Sequence, residues 1–147
     1  INASAQICIE GDCKDKNGII INADGSKYTG SFVNGKPHGQ GVLEYRNGDK
    51  YEGSFSEGLS HGYGTYSWSN GDFYEGEFSQ GMKHGKGLIK YSEGEEYTGQ
   101  FANDLPHGNG SCLIRSLGRI DTFSVGLADK REYKKVSCSW LEGKLIE

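Results

Sequence analysis

Apolar and polar residues alternate along most of the chain, and the alternation restarts at a fixed interval. In one segment Tyr28, Gly30 and Phe32 share a face, while Thr29 and Ser31 point the other way. A period of two is typical of β-strands, because successive side chains lie on opposite faces of a strand. The pattern therefore predicts strands with aromatic residues on one face and polar residues on the other.

The pattern recurs every 23 residues. The recurring positions are a tyrosine, a glycine, a phenylalanine and a histidine that begins His-Gly-x-Gly: Tyr28, Tyr51, Tyr74 and Tyr97; Gly30, Gly53, Gly76 and Gly99; Phe32, Phe55, Phe78 and Phe101; His38, His61, His84 and His107. The pattern within each unit predicts two strands that form a β-hairpin. An isolated hairpin cannot bury its aromatic face, so successive hairpins are expected to stack. The predicted fold is all-β, an elongated antiparallel meander of about ten strands built of stacked 23-residue hairpins.

Glycines have two expected roles in this sheet. Pairs such as Asn47-Gly48 predict two-residue hairpin turns, in which both central residues need positive φ. A second link in each unit runs through pairs such as Asn34-Gly35. Gly30 and Gly41 are expected to leave room for an aromatic ring that lies over the neighbouring strand.

The unit resembles that of the MORN family (membrane occupation and recognition nexus), which reads Tyr-x-Gly-x-Phe/Trp, then Gly, then His-Gly-x-Gly. Four full units and a preceding half unit match, so we predict a repeat array over residues 18–117. An N-terminal segment (1–17) precedes it. A degenerate capping unit (118–147) follows, and we expect it to end in the alternating strand Val136-Cys138-Trp140. The pattern departs at Asp104, where earlier units have glycine. The resemblance implies a binding or tethering module, because arrays of this family accompany catalytic domains or tether membranes.

The charge and the spacing of potential catalytic residues argue against three functions: nucleic-acid binding, zinc binding and catalysis. The formal net charge is −4, which argues against nucleic-acid binding, where a basic footprint is expected. Equivalent histidines lie two strands apart, about 9.5 Å, too far to share a zinc ion. We expect them to hold turns through ring hydrogen bonds. No nucleophile, base and acid are singled out as a trio, so we expect no enzyme, metal or cofactor.

The aromatic face offers the first candidate binding site. A single sheet has no further layer to cover this face, and an apolar groove that stays exposed marks a partner site. The candidate residues are Tyr45, Tyr66, Trp68 and Tyr91. We expect a protein or peptide to bind there or to add a strand at an open sheet edge.

A basic cluster provides the alternative interpretation. It consists of Lys130, Arg131, Lys134 and Lys135. Such a patch attracts anionic lipid, and a solvated capping loop would have the same composition. The alternative function is therefore a peripheral membrane or phospholipid-binding module.

Four cysteines pair naturally into two disulfides. Cys8 and Cys13 flank a four-residue turn, and Cys112 and Cys138 both point inward on neighbouring strands. Two bridges favour an extracytoplasmic protein, secreted or periplasmic, and residues 1–6 resemble an unstructured start left after removal of a leader. Four reduced thiols in a cytoplasmic protein and a four-cysteine zinc site are the alternatives.

Overall fold

The computed structural model describes residues 6–116 and 132–146. Within them, twelve strands form one antiparallel sheet in which the spatial order equals the chain order. The strands are β1 (Ile7–Gly11), β2 (Asn17–Ile21), β3 (Lys27–Val33), β4 (Lys36–Glu44), β5 (Lys50–Ser56), β6 (Leu59–Ser67), β7 (Phe73–Ser79), β8 (Met82–Lys90), β9 (Glu96–Ala102), β10 (Leu105–Arg115), β11 (Tyr133–Leu141) and β12 (Lys144–Ile146). The predicted all-β meander is confirmed. No helix in the described ranges could cross a membrane.

The core is a row of aromatic rings on one face of the sheet. The four repeat tyrosines are at most 2% exposed, and the four repeat phenylalanines are at most 6% exposed. The Tyr51 ring, for example, meets Phe55 edge to face at 5.0 Å and Phe78 of the next hairpin at 4.9 Å between ring centroids. Each hairpin thus completes its neighbour's packing, as the alternation predicted.

The rings fit because glycines face glycines across the sheet. Gly41 pairs with Gly30 on one side and with Gly53 on the other, and this ladder continues through Gly64. A Cβ at Gly41 would lie 2.4 Å from Cε2 of Tyr28. The predicted packing of rings over glycines is therefore confirmed.

Each unit has two links between strands. The two-residue turns lie at links such as Asn34-Gly35, whereas they were predicted at links such as Asn47-Gly48. Asn34 and Gly35 have φ of 51° and 74°, as a two-residue turn with two left-handed residues requires. At the Asn47-Gly48 link only the glycine has positive φ, 91°. There the Tyr45 N–H donates to the Asp49 carbonyl at 2.8 Å and encloses residues 46–48. A three-residue loop of this kind ends in one left-handed residue, which explains why a single glycine suffices.

The His-Gly-x-Gly segments form β-bulges, and the Nδ1 atom of His38 does not make the predicted ring hydrogen bond. Between the pairs Gly30–Gly41 and Phe32–Pro37 the register shifts, and Gly39 takes φ of 75° in the bulge. The His38 Nδ1 is buried without a hydrogen-bond partner among the described residues. The residues His61, His84 and His107 are exposed. The glycine after each histidine takes the positive φ at the bulge.

A disulfide lies at each end of the sheet. Cys8 pairs with Cys13 (Cα–Cα 6.0 Å), and Cys112 of β10 pairs with Cys138 of β11 (Cα–Cα 5.9 Å). Both predicted pairings are present. The residues between Cys8 and Cys13 are not a simple turn, because β1 continues to Gly11 through an irregularity in register between Cys8 and Glu10.

The segments outside the four full units also contribute strands. β1 lies within the predicted N-terminal segment, and the predicted half unit forms β2, whose Ile20 is only 3% exposed. The strand that holds Val136, Cys138 and Trp140 is β11, and β12 follows it, so it is not the last strand. Residues 1–5 and 117–131, with Lys130 and Arg131 of the basic cluster, lie outside the described residues.

Candidate functional site

A cavity of about 550 Å³ opens on the aromatic face between β4 and β8. We call it the aromatic groove. Its lining consists of Leu43, Tyr45, Tyr51, Phe55, Gly58, Leu59, Ser60, Tyr66, Trp68, Phe78, Gly81, Lys83 and Asp104. Tyr51, Phe55 and Phe78 belong to the buried ring row, so the floor of the groove is the core itself. This places a rigid apolar base beneath the more accessible side chains.

Three of the four predicted groove residues come together here. The Tyr45 and Tyr66 ring centroids are 5.7 Å apart, and those of Tyr66 and Trp68 are 4.7 Å apart. All three residues are half-buried. Tyr91 does not line the groove, and it is 40% exposed. The structure thus gathers a cluster of three rings and leaves the fourth outside it.

Asp49 fixes the position of Tyr66. Its carboxylate accepts hydrogen bonds from the Tyr66 hydroxyl at 2.9 Å and from the Ser69 backbone N–H at 2.9 Å. The hydrogen bond from Ser69, supported by those from Tyr66 and Asn47, lowers the pKa of Asp49 below its ordinary value of 3.8. Burial, with the Asp49 charge, raises the pKa of Tyr66. The hydroxyl therefore remains a neutral donor at physiological pH.

The same carboxylate link joins the next pair of loops, because Asp72 accepts from the Ser92 N–H at 2.8 Å. Asp49 and Asp72 occupy equivalent repeat positions, just after Asn-Gly. Sequence reasoning overlooked them as connectors between units. Their recurrence at a 23-residue interval was the available signal.

Lys83 lies in the groove and was not predicted as a site residue. Its side chain is 16% exposed, and its Nζ lies 4.9 Å from the Trp68 ring centroid and 5.9 Å from that of Tyr74. Such placement of an ammonium over aromatic faces is a cation–π arrangement. Burial lowers the pKa of Lys83.

Asp104 is the neighbour of Lys83. Its Oδ1 accepts from the Lys83 backbone N–H at 2.8 Å and lies 3.9 Å from the Lys83 Nζ. Both residues depart from the repeat. The positions equivalent to Lys83 hold Pro37, Ser60 and Pro106, and those equivalent to Asp104 hold Gly35, Gly58 and Gly81. The departure at Asp104 is visible in the sequence, and the same comparison of units position by position also singles out Lys83.

The described half of the basic cluster is split between two faces. Lys134 and Lys135 are both exposed on β11, opposite Ile114 and Leu113 respectively. Because they are consecutive in a strand, their side chains point to opposite faces. They do not form one continuous patch with each other.

These features define an all-β repeat protein in which consecutive hairpins share a single open sheet. The family model of the MORN repeat matches four consecutive units, at residues 28–50, 51–73, 74–96 and 97–116. The chain belongs to the MORN repeat family, whose repeats are in general protein or membrane interaction repeats. No curated protein matches the chain.

Proposed function

We propose that the chain is a non-catalytic scaffold or adaptor that binds a segment of a protein partner in the aromatic groove. The observation that carries the proposal is the grouping of Tyr45, Tyr66 and Trp68 around a cavity of about 550 Å³ with a rigid floor. Tyrosine and tryptophan dominate the energetics of protein interfaces, because they offer large contact areas and few rotatable bonds.

The fixed position of Tyr66 before any partner binds supports the same function. Tyr66 is held by Asp49, which is itself held by the Ser69 N–H. A partner segment therefore meets rings that are already ordered, and binding loses little side-chain entropy. The carboxylate of Asp49 is committed to these donors rather than directed at a substrate, which favours binding over catalysis.

Paired variants test the proposal. Trp68→Ala removes a groove ring, and Tyr63→Ala removes an aromatic residue that is 58% exposed. Tyr63 neighbours Gly62, which pairs with the core residue Phe78, so its side chain points to the opposite face. Each variant serves as bait in an extract of the native source, with photo-crosslinking at position 45. We expect crosslinked partner peptides with the wild type and Tyr63→Ala, and at least tenfold fewer with Trp68→Ala.

Two results would contradict the groove. Equal crosslinking by Trp68→Ala and the wild type would remove Trp68 from the binding site, and a captured partner that never crosslinks to position 45 would place binding elsewhere, for example at the β1 or β12 edge. Flotation of the wild type with anionic vesicles but not with neutral ones, with no crosslinked protein, would favour the membrane alternative. Circular dichroism of each variant verifies that the sheet is intact.

The two disulfides support a placement of the protein in an oxidising compartment, as a secreted or periplasmic protein. Disulfides persist in such compartments and are rare in the reducing cytosol. Labelling of the native protein by a membrane-impermeant reagent, before and after the outer membrane or cell is opened, tests this placement. Protection by the cytoplasmic membrane would overturn it.

A further inference from the structure

We propose that Lys83 makes the aromatic groove selective for a segment that carries an aspartate or glutamate side chain between apolar residues. This inference rests on the proposed function and names the chemistry of its partner. The carboxylate would accept from the Lys83 ammonium, and the flanking apolar side chains would pack on Trp68 and Tyr66.

The Lys83 ammonium has no carboxylate within hydrogen-bond distance among the described residues. The nearest carboxylate oxygen, Oδ1 of Asp104, is 3.9 Å away, beyond hydrogen-bond distance for an N–H donor. No other acceptor is recorded for the Lys83 Nζ among the described residues, although the side chain is only 16% exposed. A partly desolvated charge without a hydrogen-bond acceptor is costly. A ligand carboxylate would supply the missing acceptor.

Neither Lys83 nor Asp104 is required by the fold. The other units form the same turn and bulge with proline or serine in place of Lys83 and with glycine in place of Asp104. Asp104 also adopts φ of 70°, a left-handed conformation that suits glycine. The two residues that differ from the repeat therefore lie next to each other in the lining of the cavity.

Cationic side chains and terminal carboxylates fit the groove less well than an acidic side chain. A cationic segment would be repelled by Lys83, whose ammonium already faces the Trp68 ring. A terminal carboxylate is typically captured by free backbone N–H groups. The turn N–H groups beside Lys83 are already engaged, because Asp104 N donates to the Lys83 carbonyl at 3.1 Å and Gly81 N to the Ser60 carbonyl at 2.9 Å. Of these three kinds of ligand group, an acidic side chain is the one that complements the Lys83 ammonium.

The test uses the two tryptophans as reporters. The chain has two indole N–H signals, one from Trp68 in the groove and one from Trp140 in β11. The probes are two degenerate heptapeptide mixtures with blocked ends, fixed at their centre to Phe-Glu-Phe or Phe-Gln-Phe. We expect the glutamate mixture to shift the Trp68 signal at a concentration at least tenfold lower than the glutamine mixture. The Trp140 signal should stay in place.

Three variants complete the design. Lys83→Met should abolish the preference for glutamate, whereas Lys86→Met should retain it, because Lys86 lies beside Tyr63 on the opposite face. Asp104→Gly restores the residue of the other units and removes a competing carboxylate. It should strengthen binding of the glutamate mixture by severalfold.

The outcomes separate this inference from the proposed function. Equal binding of both mixtures would overturn the role of Lys83 and leave the groove intact as a binding site. Weaker binding of the glutamate mixture to Asp104→Gly would also overturn it, since removal of a carboxylate that competes for the Lys83 ammonium should favour a ligand carboxylate. Failure of both mixtures to move the Trp68 signal at millimolar concentration would contradict the groove itself.

Discussion

The ring of Tyr51 lies over Gly64 of the neighbouring strand, where a Cβ would stand 2.5 Å from the Tyr51 hydroxyl oxygen and 2.7 Å from its Cε2. The hydroxyl donates to the Ser54 carbonyl at 2.8 Å, so the ring is held at both its base and its tip. Because the tyrosine is fully buried, it cannot move aside into solvent. The repeat thus uses the missing side chain of one strand to bury the ring of the next.

We therefore predict that Gly64→Ala lowers the free energy of unfolding by about 1–3 kcal/mol, since overpacking forces rings off their rotamers. Thr65→Ala is the matched control, because its side chain points to the other face, and it should stay within about 0.5–1 kcal/mol of the wild type. Urea denaturation followed by tyrosine and tryptophan fluorescence measures both. A Gly64→Ala variant as stable as the control would contradict ring-over-glycine packing.

The histidine and the glycine of one bulge are expected to differ in importance. His61 is exposed, so His61→Ala should change stability by no more than about 0.5 kcal/mol. Gly62 has φ of 79°, and an L-residue in that conformation costs about 1–2 kcal/mol. Gly62→Ala should therefore be the more damaging change by thermal unfolding. The reverse order would restore a structural role for the imidazole.

The hydrogen bonds accepted by Asp49 predict that the free energy of unfolding decreases at low pH. The pKa of Asp49 is lowered in the folded state by its hydrogen bonds, so the folded state binds the proton less tightly than the unfolded chain. The stabilisation is complete above the ordinary value of 3.8 and is lost as the pH falls through the folded pKa. Asp49→Asn should be less stable at pH 7 and should show a shallower loss below pH 3.8.

Chemical unfolding at a series of pH values from 7 to 2 would measure this difference. Tyr66→Phe separates the contributions, because it removes one donor to Asp49 and leaves that of Ser69. It should show an intermediate pH dependence. If the free energy of unfolding fell equally with acid in the wild type and in Asp49→Asn, the proposed contribution of the Asp49 hydrogen bonds would be contradicted.

The strand pattern could be predicted because alternation and the 23-residue interval are properties of the sequence alone. Parity placed Tyr45, Tyr66 and Trp68 on one face, and the structure brings them together. The turn types were misassigned, because Asn-Gly satisfies both a two-residue turn and the end of a three-residue loop. Choosing between them depends on which residues pair, here Tyr45 with Asp49.

The exclusion of Tyr91 and the inclusion of Lys83 could not be predicted by parity. Both side chains lie on the expected face, but the cavity forms where Trp68 and Tyr66 pack together, and that depends on rotamers and loop positions. The recurrence of histidine indicates a structural role but does not say which atoms provide it. The glycine that follows each histidine has the positive φ at the bulge.

The disulfides predict a mass change. Reduction and trapping of freshly isolated protein should add about 4 Da before the mass of the trapping groups, two hydrogens for each bridge. Replacing both Cys112 and Cys138 by serine should cost about 3.5 kcal/mol by the chain-entropy estimate for 27 residues. The change at Cys8 and Cys13 should cost about 2 kcal/mol. An unchanged mass would show that the thiols are free in the native protein.

Deletion of residues 51–73 separates the fold from the binding site. Extensive contacts between the described strands join only those that are consecutive in sequence, so removing one unit should leave the others in place. After the deletion, Tyr74, Gly76 and Phe78 meet β4 where Tyr51, Gly53 and Phe55 did. Asp49 would then face Ser92, whose backbone N–H donates to Asp72 in the intact protein.

The shortened chain should therefore retain a β-sheet spectrum and cooperative unfolding, but it lacks Tyr66 and Trp68 and should lose binding in the aromatic groove. Deleting only residues 51–60 is the control. It removes nearly all of β5 and the start of β6, so only the loop of residues 45–50 links β4 to the rest of β6. These two strands run in the same direction in the intact sheet, and parallel strands need a crossover of about a dozen residues. That variant should fail to fold. If instead the whole-unit deletion lost its sheet spectrum, stacking of independent hairpins would be the wrong description of this protein.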